Sequence, residues 1–273
     1  MAKKFKKTLW VLVMSVILAF ALWLGNGFFG NPVSALLARV GLNWYVAQTY
    51  SHLDLEMERL GYDFKTGGYY AYLVSPGSRD TAFYISLDML GRVRYDSFDT
   101  WVTNRLNIEQ RVQEQYRILT DAVLEDPAFV YSSDIRSGML EFQQDREAED
   151  DRDYSFAIAR DELVMDKTYT TEEILAFGKR AGILTVYVQE DTVTAERAAA
   201  IMLRIRQMFD EAKVTFYRMD FVLQHPIPED GADWNREEIR AEILYADLVE
   251  PGLEERIRDS HEKIMAWFAK QEK

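Results

Sequence analysis

The spacing of apolar positions changes several times along the chain, and each change marks an element. Leu9, Trp10, Val11, Leu12, Val13, Ile17, Leu18, Phe20, Leu22, Trp23 and Leu24 lie in a charge-free run over residues 8–24. Asn31 and Pro32 then read as an N-cap with proline at the first helical position, and Leu36, Leu37, Val40, Trp44 and Ala47 mark one face of a helix ending near Tyr50. From Leu55 the period becomes two. Leu55 and Met57, then Tyr70, Tyr72 and Val74, then Phe83, Ile85 and Leu87, then Val93 and Tyr95 predict four strands in meander order, with turns at Ser75–Arg79 and Leu90–Gly91. Ile108, Val112, Tyr116, Leu119 and Val123 restore helical spacing, so residues 31–125 are expected to form a helix-plus-meander domain.

Between Asp126 and Met165 the pattern weakens to a strand-like Phe129–Tyr131, a charged tract over 145–153 and a short apolar stretch at Phe156–Ile158. A capping box at Thr170-Thr-Glu-Glu173 opens a short helix that Gly182 stops. A strand at Leu184–Val188 follows, then a helix from Thr194 striped by Ala198, Ile201, Ile205, Met208 and Ala212, and a strand from Val214 to Leu223. A proline-rich loop leads to a strand at Ile239–Tyr245 and a terminal helix after Pro251. Residues 126–273 are therefore expected to form a second unit, with helices on one side of a mixed sheet. The fold class is α+β: an N-terminal transmembrane helix followed by two small helix-on-sheet units.

Charge sharpens the reading of the first thirty residues. Lys3, Lys4, Lys6 and Lys7 precede the apolar run and Arg39 is the next basic residue, a bias that places the N-terminus in the cytoplasm and the remainder outside it. Residues 1–30 read as a basic head, a single-pass membrane anchor and a flexible hinge at Gly25-Asn-Gly-Phe-Phe-Gly30. The rival is a cleaved signal peptide with Val33-Ser-Ala35 as its processing site. The chain carries a net charge of −13; beyond the lysine head, 28 basic residues face 45 acidic ones, which disfavours nucleic acid as a partner. Cysteine is absent, so thiolate metal sites, disulfides and a cysteine nucleophile are excluded. The three histidines, His52, His225 and His261, show no ligand spacing, and no cofactor is expected.

Two stretches carry a family resemblance. Trp44 to Phe98 contains Gly61-Tyr-Asp-Phe-Lys-Thr-Gly67, Tyr70-Ala-Tyr72 and Arg94-Tyr-Asp-Ser97, and Leu163 to Leu223 contains Met165-Asp-Lys-Thr-Tyr169 and Ala181-Gly-Ile-Leu-Thr-Val186. Together they resemble the YfjL-like proteins of Gram-positive bacteria. The resemblance implies a single-pass membrane protein with an extracytoplasmic part and no assigned activity, and it supplies no site residues.

Candidate chemistry is sparse. Asp151, Asp153 and Ser155 with Glu162 partly match a calcium loop, yet Phe156 stands where glycine makes the turn, and a charged surface loop accounts for the same residues. No Gly-x-Ser-x-Gly motif occurs, and forty-five carboxylates select no acid–base pair, so no catalytic residue is nominated. Tyrosines 62, 69, 70, 72, 84 and 95 are expected to line both sides of a small sheet, either packing beneath a helix or stacking on a peptide or glycan. Trp234, beside a proline-rich loop, is a candidate partner contact. The expected function is a non-enzymatic binding or accessory module, membrane-bound through residues 8–24, with a protein, peptide or cell-wall partner. The alternatives are a surface hydrolase using a carboxylate pair and a sensory or structural subunit of a membrane complex.

Overall fold

The computed structural model describes residues 2–143, 155–226 and 237–271. The chain divides into two compact units, Met1–Asn107 and Ile108–Lys273, and each holds one four-stranded sheet.

In the first unit a single helix, α1, spans Ala2–Phe29. It continues through Gly25 and Gly27, and within the expected hinge of Gly25–Gly30 the helix breaks at the last residue, Gly30, where φ is +68° and a Cβ would lie 2.6 Å from the Tyr69 hydroxyl. The expected transmembrane anchor is also overturned: among the described residues, no helix is long and apolar enough to cross a membrane. The charge-free run of residues 8–24 extends only about 25 Å as helix, short of the roughly 30 Å hydrocarbon layer, and it continues into Gly25-Asn26-Gly27. With the anchor go the single-pass placement and the assignment of the two ends to opposite sides of a membrane.

Helix α2 (Pro32–Thr49) starts as its sequence predicts, with the Asn31 side chain accepting from the Ser34 amide at 2.8 Å and proline in the first turn. Its face is the opposite of the one expected. Ser34, Ala38 and Leu42 are buried, whereas Leu36, Leu37, Val40 and Trp44 point outward, Trp44 with 68% of its surface exposed. The cause is steric. Gly91 sits in the turn between the third and fourth strands with φ +80°; a Cβ on Gly41 would overlap its carbonyl oxygen, and a Cβ on Gly91 would overlap the Leu37 carbonyl oxygen. Helix and turn therefore touch backbone to backbone, which only the small-residue face permits.

Strands β1 (Glu56–Asp63), β2 (Gly68–Ser75), β3 (Ser78–Leu87) and β4 (Val93–Asp96) pair antiparallel in chain order, the predicted meander. Their inner face contributes Ala71, Leu73, Phe83, Ile85 and Leu87 to a core closed by Leu42 and Tyr50.

The second unit contains most of α3 (Leu106–Leu124), then β5 (Arg136–Leu140), α4 (Thr171–Ala181), β6 (Gly182–Gln189), α5 (Ala195–Ala212), β7 (Arg218–Gln224), β8 (Glu238–Leu244) and α6 (Leu253–Gln271). The sheet order is β5-β6-β7-β8, with β6 and β7 parallel across α5 and the other pairs antiparallel, so the expected mixed sheet forms. Strand β5 is absent from the sequence reading, and Phe129–Tyr131 forms no strand. The Gly138 position in β5 carries no side chain to show alternation; Thr120 of α3 packs into that space. Along the edge strand β8, α6 supplies acceptors: Ser260 Oγ takes the Glu242 amide at 2.9 Å and His261 Nδ1 takes the Arg240 amide at 3.2 Å. A helix thereby satisfies edge amides that would otherwise template another strand.

Gly91→Ala is expected to destabilise the first unit by about 2–4 kcal/mol, combining backbone strain with overlap at α2. Gly25→Ala, with nothing within 4 Å of the added methyl, should be neutral or stabilise by at most about 1 kcal/mol. Urea unfolding of both variants checks this, and equal midpoints would refute the glycine contact as a determinant.

Candidate functional site

The first sheet has an outer side that no element of its own unit covers completely, and aromatic residues occupy it. Alternation along Gly68–Ser75 buries Tyr69, Ala71 and Leu73 and turns Tyr70, Tyr72 and Val74 outward. In β3 the inward residues are Phe83, Ile85 and Leu87, so Tyr84 and Ser86 share the outer side. Pairing places Arg59, Tyr72 and Tyr84 in one row across three strands, and Gly61, Tyr70, Ser86 and Tyr95 in the next row across four.

A β-bulge completes the arrangement. Met57 pairs with Leu73 and Arg59 with Tyr72, leaving Glu58 as the extra residue. Such an insertion re-aims neighbouring side chains. Glu58 and Arg59 both line a shallow concavity of about 570 Å3 together with Tyr70, Tyr72 and Tyr84. The Arg59 guanidinium carbon lies 5.6 Å from the centroid of the Tyr70 ring. That ring lies against Gly61, where a Cβ would come within 2.5 Å of it. Tyr84 and Tyr95 meet at 5.7 Å between centroids. Partial burial, and then the neighbouring Tyr95, push the Tyr84 phenol above its ordinary range.

The inner side holds this platform still. Tyr69 hydrogen-bonds Ser34 Oγ at 2.7 Å and donates to the Asn31 carbonyl at 3.2 Å, while Tyr62 donates to the Gly27 carbonyl at 3.1 Å. One oxygen of Asp96 accepts from Tyr50 at 2.7 Å and Tyr45 at 2.9 Å; the other accepts from the Phe98 amide at 2.8 Å. Burial first, and then the bond to Asp96, push both phenols upward. These contacts fasten β4 and the end of α2 together, so the outer tyrosines stand on a constrained sheet.

A second groove of about 290 Å3 runs between α2 and β1, lined by Leu42, Val46, Tyr50, Leu53, Met57 and Leu73 among others. Its lining carries no carboxylate, and the tyrosine-lined concavity has one, Glu58. Neither offers the acid–base pair that glycoside hydrolysis needs.

Of the sequence-selected residues, Asp151, Asp153 and Trp234 lie outside the described residues. Glu162 accepts two bonds from Arg180, at 2.8 and 2.9 Å, and one from the Ala159 amide at 3.0 Å. Partial burial opposes its ionisation, but the Ala159 amide and Arg180 outweigh that and hold the carboxyl below its usual range. Among the described residues, no group of three or more His, Asp or Glu side chains is placed to hold a metal ion. The six tyrosines separate into an inner pair, Tyr62 and Tyr69, and an outer four, Tyr70, Tyr72, Tyr84 and Tyr95. Strand parity contains that division. The roles of Glu58 and Arg59 depend on the bulge, for which the sequence shows no signal.

An antiparallel meander backed by a helix and faced with tyrosine thus defines the first unit of a two-unit α+β protein. Residues 5–97 match the family model described as YfjL-like, N-terminal domain, which supports the resemblance over this stretch. A crystal structure of a DUF5037 family protein from Ruminococcus gnavus ATCC 29149 is similar at 11% identity and a TM-score of 0.24, covering 82% of this chain and 98% of that one. No curated protein matches the chain.

Tyr95→Phe should lower the Tyr84 phenol pKa back toward the ordinary tyrosine value, because the neighbouring hydroxyl that disfavours the phenolate is removed. A pH titration of the assigned Tyr84 ring signal by NMR, variant against parent, tests this; an unchanged Tyr84 midpoint would show that burial alone sets the shift.

Proposed function

We propose that this protein is a non-enzymatic binding module whose binding surface is the outer face of the β1–β4 sheet. The observation that carries the reading is the gathering of Tyr70, Tyr72 and Tyr84 around the bulged Glu58–Arg59 pair in one concavity. Tyr72 and Tyr84 are exposed rather than folded into the core. Tyrosine supplies a large rigid contact area with a polar tip at low conformational cost, the combination that recognition surfaces favour. Removing both rings together, as Tyr72→Ala/Tyr84→Ala, is expected to leave the unfolding transition within about 1 kcal/mol of the parent, since exposed positions contribute little to stability. The same change should abolish ligand-induced perturbation of the remaining tyrosine signals. Undiminished ligand response in a folded double variant would move the binding surface elsewhere.

A second reading has its own observation. The outward stripe of α2, namely Val33, Leu36, Leu37, Val40 and Trp44, is exposed, and so are apolar side chains of α1 that include Trp10, Leu18 and Phe29. A large exposed apolar patch is the mark of an interaction site. On this reading the chain is a structural subunit, with the helical stripe packing against the same stripe of a second copy. Leu36→Glu/Val40→Glu is then expected to convert a sedimenting oligomer to monomer. A parent chain that is already monomeric in ultracentrifugation removes this reading.

A further inference from the structure

Resting on the reading of the tyrosine face as a binding surface, we infer that its ligand is a neutral saccharide chain. Three features of the face select that chemistry.

The first is backbone supply. Strands β2 and β3 lie inside the sheet, with a partner strand on each side, so their amides and carbonyls are committed to the ladders. A peptide laid across this face would cover its own amide groups without main-chain partners, which costs free energy for each group buried. Peptides gain main-chain bonds at a sheet edge, and the tyrosines are not arrayed along one. A saccharide has no amide ladder to satisfy, and its hydroxyls stay at the wet rim.

The second is charge. Glu58 and Arg59 carry opposite signs side by side in the concavity, on a chain of net charge −13. A polyanion that stacks on aromatic sheets, such as single-stranded nucleic acid, would bring phosphates toward an acidic chain. A cation would meet Arg59. A ligand without net charge meets neither penalty and still uses both side chains as hydrogen-bond partners.

The third is the layout of the rings. Tyr72 and Tyr84 are register partners on adjacent strands, about 5 Å apart, and Tyr70 lies two residues along β2, roughly 7 Å away. Tyr95 continues the array at 5.7 Å from Tyr84. Several rings on one side of the sheet, with Tyr84 and Tyr95 tilted 40° to each other, offer repeated apolar platforms to the C–H faces of successive sugar rings. The phenol tips, Glu58, Arg59 and Ser86 supply polar contacts around them.

The full chain, labelled on its tyrosine rings for NMR, is titrated with cellohexaose, chitohexaose and maltohexaose, and separately with a proline-rich decapeptide. The expected result is that at least one hexasaccharide shifts the ring signals of Tyr72 and Tyr84, that Tyr72→Ala weakens binding tenfold or more, and that Tyr72→Phe retains it. Because the parent's own ring shifts report the contact, an Ala variant that fails to fold leaves the inference testable. Peptide-induced shifts of these rings without any saccharide response would overturn the saccharide assignment and leave the binding-module reading standing. Silent rings with every probe would overturn both.

Discussion

The first unit depends on one backbone-to-backbone contact, where the middle of α2 rests on the β3–β4 turn with Gly41 against Gly91. No side chain fits between them, so α2 must present Ser34, Ala38 and Leu42 to the sheet. The turn is held for that contact by Asp88, whose carboxylate accepts the Leu90 amide at 2.8 Å and the Arg92 amide at 2.9 Å. The Arg92 bond, set against partial burial and reinforced by the Leu90 bond, keeps this carboxyl below its usual range. Its contribution to stability is therefore present above the ordinary carboxylate range near pH 4 and is lost as pH falls below it.

Much of the molecule's exposed chemistry follows from that contact. Once the small face of α2 is used inward, Leu36, Val40 and Trp44 are left exposed. On the sheet, the inner face is filled by Leu73, Phe83, Ile85 and Leu87, and period-two geometry sends every second residue to the other side. The four outer tyrosines are the result. Tyr72, Tyr84 and Tyr95 stay exposed and Tyr70 half-buried while the Asp96 cluster and the Tyr69–Ser34 pair stiffen the sheet from behind. Constraint on one side and openness on the other is what a recognition surface needs, because little ordering cost remains to be met on binding.

The second unit solves a different problem. Its mixed sheet depends on α5 to carry the chain from β6 to its parallel neighbour β7, and on α6 to occupy the edge of β8. Tyr116 of α3 packs over Gly178 and Gly182 and donates to the Thr215 carbonyl at 2.9 Å, which joins α3 to the α4–β6 junction. His261 serves this edge as an acceptor. Arg218 pairs with Asp220 at 2.7 Å, and Arg240 with Glu238 at 2.6 Å, along the strands themselves.

What the sequence determined by itself is local. Alternation located β1 to β4 and sorted Tyr69 from Tyr70 and Tyr72; Asn31-Pro32 and Thr170–Glu173 marked helix starts; and the β-α-β-β-α order implied a mixed second sheet. These signals arise from groups a few residues apart, where periodicity and capping are complete statements of the physics. Tertiary structure decided the rest. The bulky stripe of α2 pointed toward burial by area alone, yet a glycine fifty residues away set the opposite rotation. Strand β5 formed because β6 lay beside it, not because Arg136–Leu140 alternates. The apolar run after the lysine head suggested a membrane span, but among the described residues no helix is long and apolar enough to cross a membrane. Glu58 and Arg59 joined the tyrosines through a register slip between two strands, and a slip belongs to the pair of strands, so neither strand's sequence contains it.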